Sequence, residues 1–119
     1  MPFEQHQEKN YQKDVQSIYQ AALQAAEKMN AKVIASVPEK LSFTARFPKT
    51  IFGKTLGERT ELSCEVHADG EGGIAVVHAF PLDAVERKLM FGARPGITKT
   101  VVTWFIAHLE NNLGIAQPG

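Results

Sequence analysis

The sequence predicts an α+β fold in which a helix, a four- to five-stranded antiparallel meander and a C-terminal helix follow one another. Apolar residues recur every three or four positions near both ends of the chain and alternate with polar residues in between. Glycine, proline and aspartate separate the alternating runs, as turn residues do. Each helix has one apolar stripe and most strands have one apolar face, so we expect both helices on one face of the sheet.

The first helix is predicted from about residue 11 to Asn30. Its apolar residues are spaced three and four apart, and the alanines at 21, 22, 25 and 26 add helix propensity. The stripe comprises Tyr11, Val15, Ile18, Tyr19, Ala22, Leu23, Ala26 and Met29. Residues 1–10 are polar, and we expect them to form either a frayed tail or an edge strand.

The apolar period falls to two after the first helix. Val33, Ala35 and Val37 alternate with Lys32, Ile34 and Ser36, and residues 38–40 predict a turn. The next strand is predicted to have Leu41, Phe43, Ala45 and Phe47 on its buried side. Residues 50–52 fit either a short strand or an apolar loop tip.

Two further strands, over residues 60–67 and 74–80, are predicted to form a hairpin around a glycine-rich turn. A four-residue loop would pair His67 with Ile74 and place Ser63 near His78. A shift of one residue would instead turn Ile74, His78 and their alternating neighbours toward the face of Leu62. Both registers are compatible with the sequence, and the apolarity of the second strand predicts that it is central in the sheet or at least partly covered on both faces.

The C-terminal helix is predicted over residues 98–113, with Thr98 as its N-cap and Gly114 as its left-handed stop. Trp104 and His108 lie four residues apart on one flank of the apolar stripe, so we expect them at the border of core and solvent. Residues 81–97 are less regular, with a short helical turn predicted within 82–90. The buried face comprises Val101, Val102, Phe105, Ile106, Leu109 and Leu113.

Length and composition predict one domain. A chain of 119 residues, 44% of them hydrophobic, can bury one core, which we place at residues 11–114 with a tail at 115–119. The 13 basic and 13 acidic side chains cancel, which argues against a nucleic-acid partner. No apolar run is long enough for a membrane span, and the single cysteine, Cys64, cannot form an internal disulfide. We expect a soluble, cytoplasmic protein.

The chain resembles small uncharacterised bacterial single-domain proteins that are similar in outline to helix-grip or steroidogenic-lipid-transfer-like folds. The resemblance covers about residues 11–113. It is carried by the segments Ala21-Ala22-Leu23, Ala31-Lys32-Val33, 51–58 and Phe91-Gly92. It implies a curved sheet that holds a long C-terminal helix, and it implies no catalytic residue.

Several chemistries are disfavoured by the motifs. Residues 92–100 mix glycine, lysine and threonine before a helix, but the spacing differs from that of a phosphate-binding loop. The four histidines have no paired spacing, so we expect no metal site. Cys64 alternates with Leu62 and Val66, where an inert buried thiol would lie. We therefore expect no catalytic residue and no cofactor.

Two functional hypotheses remain, and the first is a small non-enzymatic binding or interaction module, with a homodimer as one candidate assembly. It would use an apolar patch of Ile51, Phe52, Met90 and Phe91 to contact a partner or a lipid-like ligand. The alternative is an enzyme or carrier for a small anionic or lipid-like ligand near the start of the C-terminal helix, with His78 or His108 in an enzyme. The residues that we expect to bind a ligand are Lys54, Arg59, Arg94, Thr98, Lys99, Trp104 and His108.

Overall fold

A five-stranded antiparallel sheet and two helices make up the fold, which is α+β as predicted. The computed structural model describes residues 4–83, 85, 87–88 and 96–115. Strand β1 (Gln5–Tyr11) precedes helix α1 (Val15–Lys28), and helix α2 (Ile97–Asn112) comes last. The strands between them are β2 (Lys32–Val37), β3 (Ser42–Phe47), β4 (Thr50–Ile51), β5 (Lys54–Thr55), β6 (Arg59–Asp69) and β7 (Gly72–Leu82).

The main sheet has the strand order β1-β7-β6-β3-β2, and the short strands β4 and β5 form a separate hairpin. Strands β2, β3, β6 and β7 are the predicted meander, and β7 lies inside the sheet because the N-terminal strand pairs with its free edge. Strand β1 is thus an edge strand, the second of the two forms expected for residues 1–10. The helices pack against each other and against β6 and β7, so both cover one sheet face, as predicted. We call the opposite side the outer face.

The hairpin of β6 and β7 has the first of the two predicted registers. His67 lies opposite Ile74 and Ser63 opposite His78. This register turns Ala75, Val77 and Ala79 toward the helices and leaves the alternate residues of β7 half-buried on the outer face. A loop of only two residues, Gly70 and Glu71, lies between the paired ends Asp69 and Gly72. Small residues on the inner side of β7 leave room for the helices.

The first helix begins later than predicted. Tyr11 belongs to β1, and Asp14 caps the helix, since its carboxylate accepts a hydrogen bond of 3.0 Å from the backbone N–H of Ser17. The Tyr11 hydroxyl donates to Glu110 of α2 at 2.8 Å, which ties β1 to the second helix. Burial and the Glu110 carboxylate both raise the pKa of Tyr11, so this hydroxyl stays protonated in the folded protein.

The N-cap predicted for the second helix is wrong. Gly96, with φ of 85°, precedes the first helical residue, Ile97, and no side chain caps the helix. The Thr98 side chain is buried within the first turn. A glycine in the left-handed region turns the chain into the helix without a side-chain cap. Gly114 has φ of 75°, which confirms the predicted left-handed stop.

The alternation predicted for β2 is also broken. The register with β3 shifts between Val33 and Ala35, so Ile34 is the extra residue of a β-bulge. After the bulge, Ala35 pairs with Thr44 and Val37 with Ser42, both on the outer face. Ala35 and Val37 are therefore exposed, whereas Val33 is half-buried against the core. A pattern of period two cannot show where a bulge will interrupt it.

Large side chains of the described residues pack in the interior between sheet and helices. Phe105 of α2 meets Phe43 and Phe47 of β3 with ring centroids 6.4 and 6.3 Å apart. Met29 and Ile18 of α1 are fully buried in the same core. Cys64 is buried among them, and burial raises the pKa of its thiol to about 12. The thiol is therefore protonated at neutral pH and inert, as its position in the sequence predicts.

Candidate functional site

The β4–β5 hairpin positions the most exposed aromatic side chain of the described chain. Ile51 and Leu56 are buried, and the Leu56 N–H donates to the Lys49 carbonyl at 2.6 Å, which closes the base of the hairpin. Ile51 pairs with Lys54, so only Phe52 and Gly53 form the loop. The burial of Ile51 corrects the prediction that it belongs to an exposed patch. Phe52 is 53% exposed, as that prediction requires.

Phe52 occupies a backbone conformation that is unfavourable for it. Its φ is 53° and that of Gly53 is 77°, and positive φ at both central residues is the pattern of a type I′ turn. Asparagine and glycine tolerate this region, whereas a bulky residue at positive φ costs about 1 to 2 kcal/mol. The chain thus holds a large aromatic ring at a strained loop tip, the kind of outlier that clusters at functional sites.

The strained ring lies on the flank of α2. The Phe52 ring centroid is 5.2 Å from that of His108 and 6.2 Å from that of Trp104. Trp104 and His108 are half-buried one turn apart, at the rim of the core. Together Phe52, Trp104 and His108 form a continuous surface that we call the aromatic patch.

Two lysines give the aromatic patch a positive border. The Lys54 ammonium lies 5.9 Å from the Trp104 ring centroid, within cation–π range. Lys28, at the end of α1, acts on His108. Burial lowers the pKa of the His108 imidazole, and the Lys28 charge lowers it further. His108 is therefore mostly neutral at pH 7 and presents an aromatic ring.

The structure gathers some of the predicted ligand-binding residues and separates others. Trp104, His108 and Lys54 come together at the aromatic patch, although they were predicted near the start of α2. Lys99 is exposed in the first turn of that helix. Arg59 begins β6 and lines a groove beside β2. Arg94, Met90 and Phe91 lie outside the described residues, as do residues 84, 86 and 89 of the helical turn predicted over 82–90.

His78, the other histidine considered for an enzyme, lies in an ion-pair cluster on the outer face. Its Nε2 is 2.8 Å from a carboxylate oxygen of Glu4, which also binds Lys88. Hydrogen bonds from Lys88 and His78 lower the pKa of Glu4 to about 2, so this carboxylate is ionised at neutral pH. The cluster ties the start of β1 to the end of β7. Its location on a sheet surface favours a structural role over acid–base chemistry.

Metal and membrane sites can be assessed for the described part of the chain. Among residues 4–83, 85, 87–88 and 96–115, no three His, Cys, Asp or Glu side chains are grouped so that they could hold a metal ion. No helix in this part of the chain is both long and apolar enough to cross a bilayer.

The fold is similar to that of a known Bet v 1-like protein. The crystal structure of Ara h 8.0201, a Bet v 1-like protein, aligns with a TM-score of 0.66 at 10% identity, over 93% of this chain and 97% of that one. TTHA0849 from Thermus thermophilus aligns with a TM-score of 0.47 at 13% identity, over 92% and 96% of the two chains. No protein-family model and no curated protein sequence matches the chain. The helix-grip outline of the predicted resemblance is thus confirmed as a fold.

Proposed function

We propose that this protein is a small, non-enzymatic binding module whose aromatic patch captures an apolar side chain of a partner protein. The observation that carries the proposal is the strained and exposed Phe52. Its conformation costs stability, and Asn or Gly would adopt it without strain. A ring held there against Trp104 and His108 is best explained by what it contacts outside the protein.

The charges at the border define the partner further. The Lys54 ammonium lies over the Trp104 ring, and the positive charge of Lys28 acts on His108. An apolar side chain followed or preceded by Asp or Glu would complement both the rings and the lysines. The partner is therefore an acidic segment with an aromatic or leucine anchor.

The test uses random linear peptides displayed on phage, selected on the wild-type protein. We expect the selected peptides to carry an aromatic residue or leucine beside Asp or Glu. Trp104 is the single tryptophan of the chain, so peptide binding should change its fluorescence directly. Phe52→Asn should weaken the selected peptides about tenfold or more, as loss of an aromatic anchor does.

Val37→Asn is the matched control, because Val37 is a 40% exposed apolar residue on β2 outside the aromatic patch. It should leave peptide affinity unchanged. In Phe52→Asn the relief of turn strain offsets the missing ring packing, so we expect that variant to keep its thermal midpoint within a few degrees. Failure to enrich any peptide, or peptides that bind Phe52→Asn as tightly as wild type, would contradict the proposal.

A further inference from the structure

A groove lies at one corner of the sheet, where β2 begins, β3 ends and β6 begins. Its volume is about 220 Å³. It is smaller than the usual pocket for a drug-sized ligand, which spans roughly 300 to 1,000 Å³. The lining residues are Asn30, Lys32, Ile34, Arg46, Phe47, Pro48 and Arg59. Three of them are cationic and none is acidic.

Two of the cations lie directly opposite each other in the sheet. Lys32 is the register partner of Arg46, and like charges in that arrangement destabilise a strand pair. Glu61 on β6 bonds the Arg46 Nε at 3.1 Å from the other side and fixes the guanidinium.

The β-bulge of β2 shapes the same corner. Ile34 is the inserted residue, and it lines the same groove as Lys32, two positions earlier in the strand. The register shift falls at Ile34, so the bulge determines the position of this side chain at the groove. The bulge thus places an apolar side chain near the cations, as bulges beside binding sites do. Pro48 supplies a second apolar surface, and the groove is amphipathic.

We propose that this groove binds a phosphate group that carries a short apolar substituent. Arginine forks match the oxygens of phosphate and can bind them bidentately, while Lys32 adds a point charge. Ile34 and Pro48 would contact the substituent. A phosphate and a few carbon atoms fit the volume, and the ligand would place negative charge beside Lys32, in addition to the Glu61 carboxylate that already bonds Arg46. This site is distinct from the aromatic patch and does not depend on its function.

The test is a titration of the folded protein with inorganic phosphate and with phenyl phosphate, followed by backbone amide shifts in NMR spectra. The shifts should concentrate at Lys32, Ile34, Arg46 and Arg59, and phenyl phosphate should bind more tightly than inorganic phosphate. Arg59→Gln should weaken phenyl phosphate about tenfold, as expected for the loss of a charge-assisted hydrogen bond. Trp104 fluorescence should not change, which separates this site from the aromatic patch.

Lys9→Gln is the matched control, since it removes one positive charge from the exposed edge strand at the other side of the sheet. It should leave the affinity within about twofold, because exposed charges farther apart than a Debye length are screened. Equal weakening by Lys9→Gln and Arg59→Gln, or shifts spread over all surface lysines, would overturn the proposal. So would equal affinity for phenyl phosphate and inorganic phosphate.

Phosphate groups also occur on lipids, and a second arm distinguishes the source. Vesicles of phosphatidylcholine with phosphatidic acid are sedimented with wild-type protein and with Arg59→Gln. Co-sedimentation of wild type alone supports the groove as a site for a lipid headgroup. Binding of phenyl phosphate without co-sedimentation supports it as a site for a free phosphate monoester. Equal co-sedimentation of both proteins, without phenyl phosphate binding, would refute it.

Discussion

Phe52 shows how one residue can oppose the stability of its own turn. The two-residue loop of the β4–β5 hairpin requires positive φ at both central positions, and Gly53 meets that requirement without strain. Phe52 does not, yet its ring covers His108 and Trp104 instead of solvent alone. The sequence marked Phe52 as an exposed apolar residue, but no sequence pattern revealed its strained conformation.

Two glycines of the β6–β7 hairpin allow a second residue-scale prediction. A side chain at Gly72 would overlap the Tyr11 carbonyl oxygen, which is rigid backbone, so we expect Gly72→Ala to cost about 3 kcal/mol or more. Gly70 has φ of 61° and open space around it, so Gly70→Ala should cost only about 1 kcal/mol. Urea denaturation followed by circular dichroism measures both.

Gly70→Ala is the control for that comparison because it lies in the same hairpin. Equal losses of stability in the two variants would show that the overlap with the Tyr11 carbonyl at Gly72 costs no more than the positive φ at Gly70. The close approach at Gly72 occurs because β1 pairs with β7 and then turns into α1. A glycine pair in the sequence predicts a turn, but not which strand passes beside it.

At the scale of elements, the junction of α1 and α2 predicts a pH effect. Burial and Lys28 lower the pKa of His108 in the folded protein, whereas in the unfolded chain it is near 6.5. As pH falls below 6.5, the unfolded state binds a proton that the folded state resists. This contribution to stability is therefore present above pH 6.5 and is lost as pH falls toward the folded pKa.

The measurement is the thermal midpoint between pH 7.5 and pH 5 for wild type and for His108→Gln. We expect the wild-type midpoint to fall more steeply, since glutamine has no proton to gain. Lys28→Gln should also make the midpoint depend less steeply on pH, because it removes a positive charge that lowers the pKa of His108. His67→Gln, on the exposed end of β6, serves as a control for the other histidines. Parallel slopes for wild type and His108→Gln would rule out this origin.

Elements whose side chains alternate or repeat regularly were predictable from the sequence. Both helices and the wet and dry faces of β3 and β6 follow from hydrophobic periodicity, and the central place of β7 follows from its almost continuous apolar run. Periodicity failed where the backbone departs from regularity, at the bulge of Ile34 and at the start of α2. It also could not predict that Lys54 lies at the aromatic patch and Arg59 at the groove beside β2. Which residues lie close together in space depends on tertiary packing.

At the scale of the whole molecule, the candidate binding features of the described residues lie at the surface, around a core of packed aromatic rings. Phe43, Phe47 and Phe105 occupy the space between the sheet and α2, and they are nearly inaccessible to solvent. The aromatic patch lies at the rim of this core, and the groove proposed to bind a phosphate group lies at a corner of the sheet, where Phe47 is its contact with the core. If ligands bind at these surfaces, core residues contribute to stability and surface residues to binding. Mutations should therefore affect binding and stability separately.

Helix α2 carries one residue of each kind, Phe105 in the core and Trp104 at the rim. Phe105→Ala removes the ring at the centre of the core, and we expect it to lower the free energy of unfolding by about 4 kcal/mol. That is a large part of the roughly 5 to 15 kcal/mol that stabilises a domain of this size. Trp104→Ala, one residue earlier on the half-buried rim, should cost about 1 to 2 kcal/mol, because part of its ring already faces solvent.

Urea unfolding followed by circular dichroism compares the two variants without relying on tryptophan emission. Trp104→Ala should fold and lose the selected peptides, whereas any folded fraction of Phe105→Ala should keep them. The reverse order of stabilities would show that α2 is anchored through its rim. Trp104 belongs to the aromatic patch and Phe105 to the core. That result would therefore show that the aromatic patch is needed for folding, which contradicts its proposed role as a binding surface.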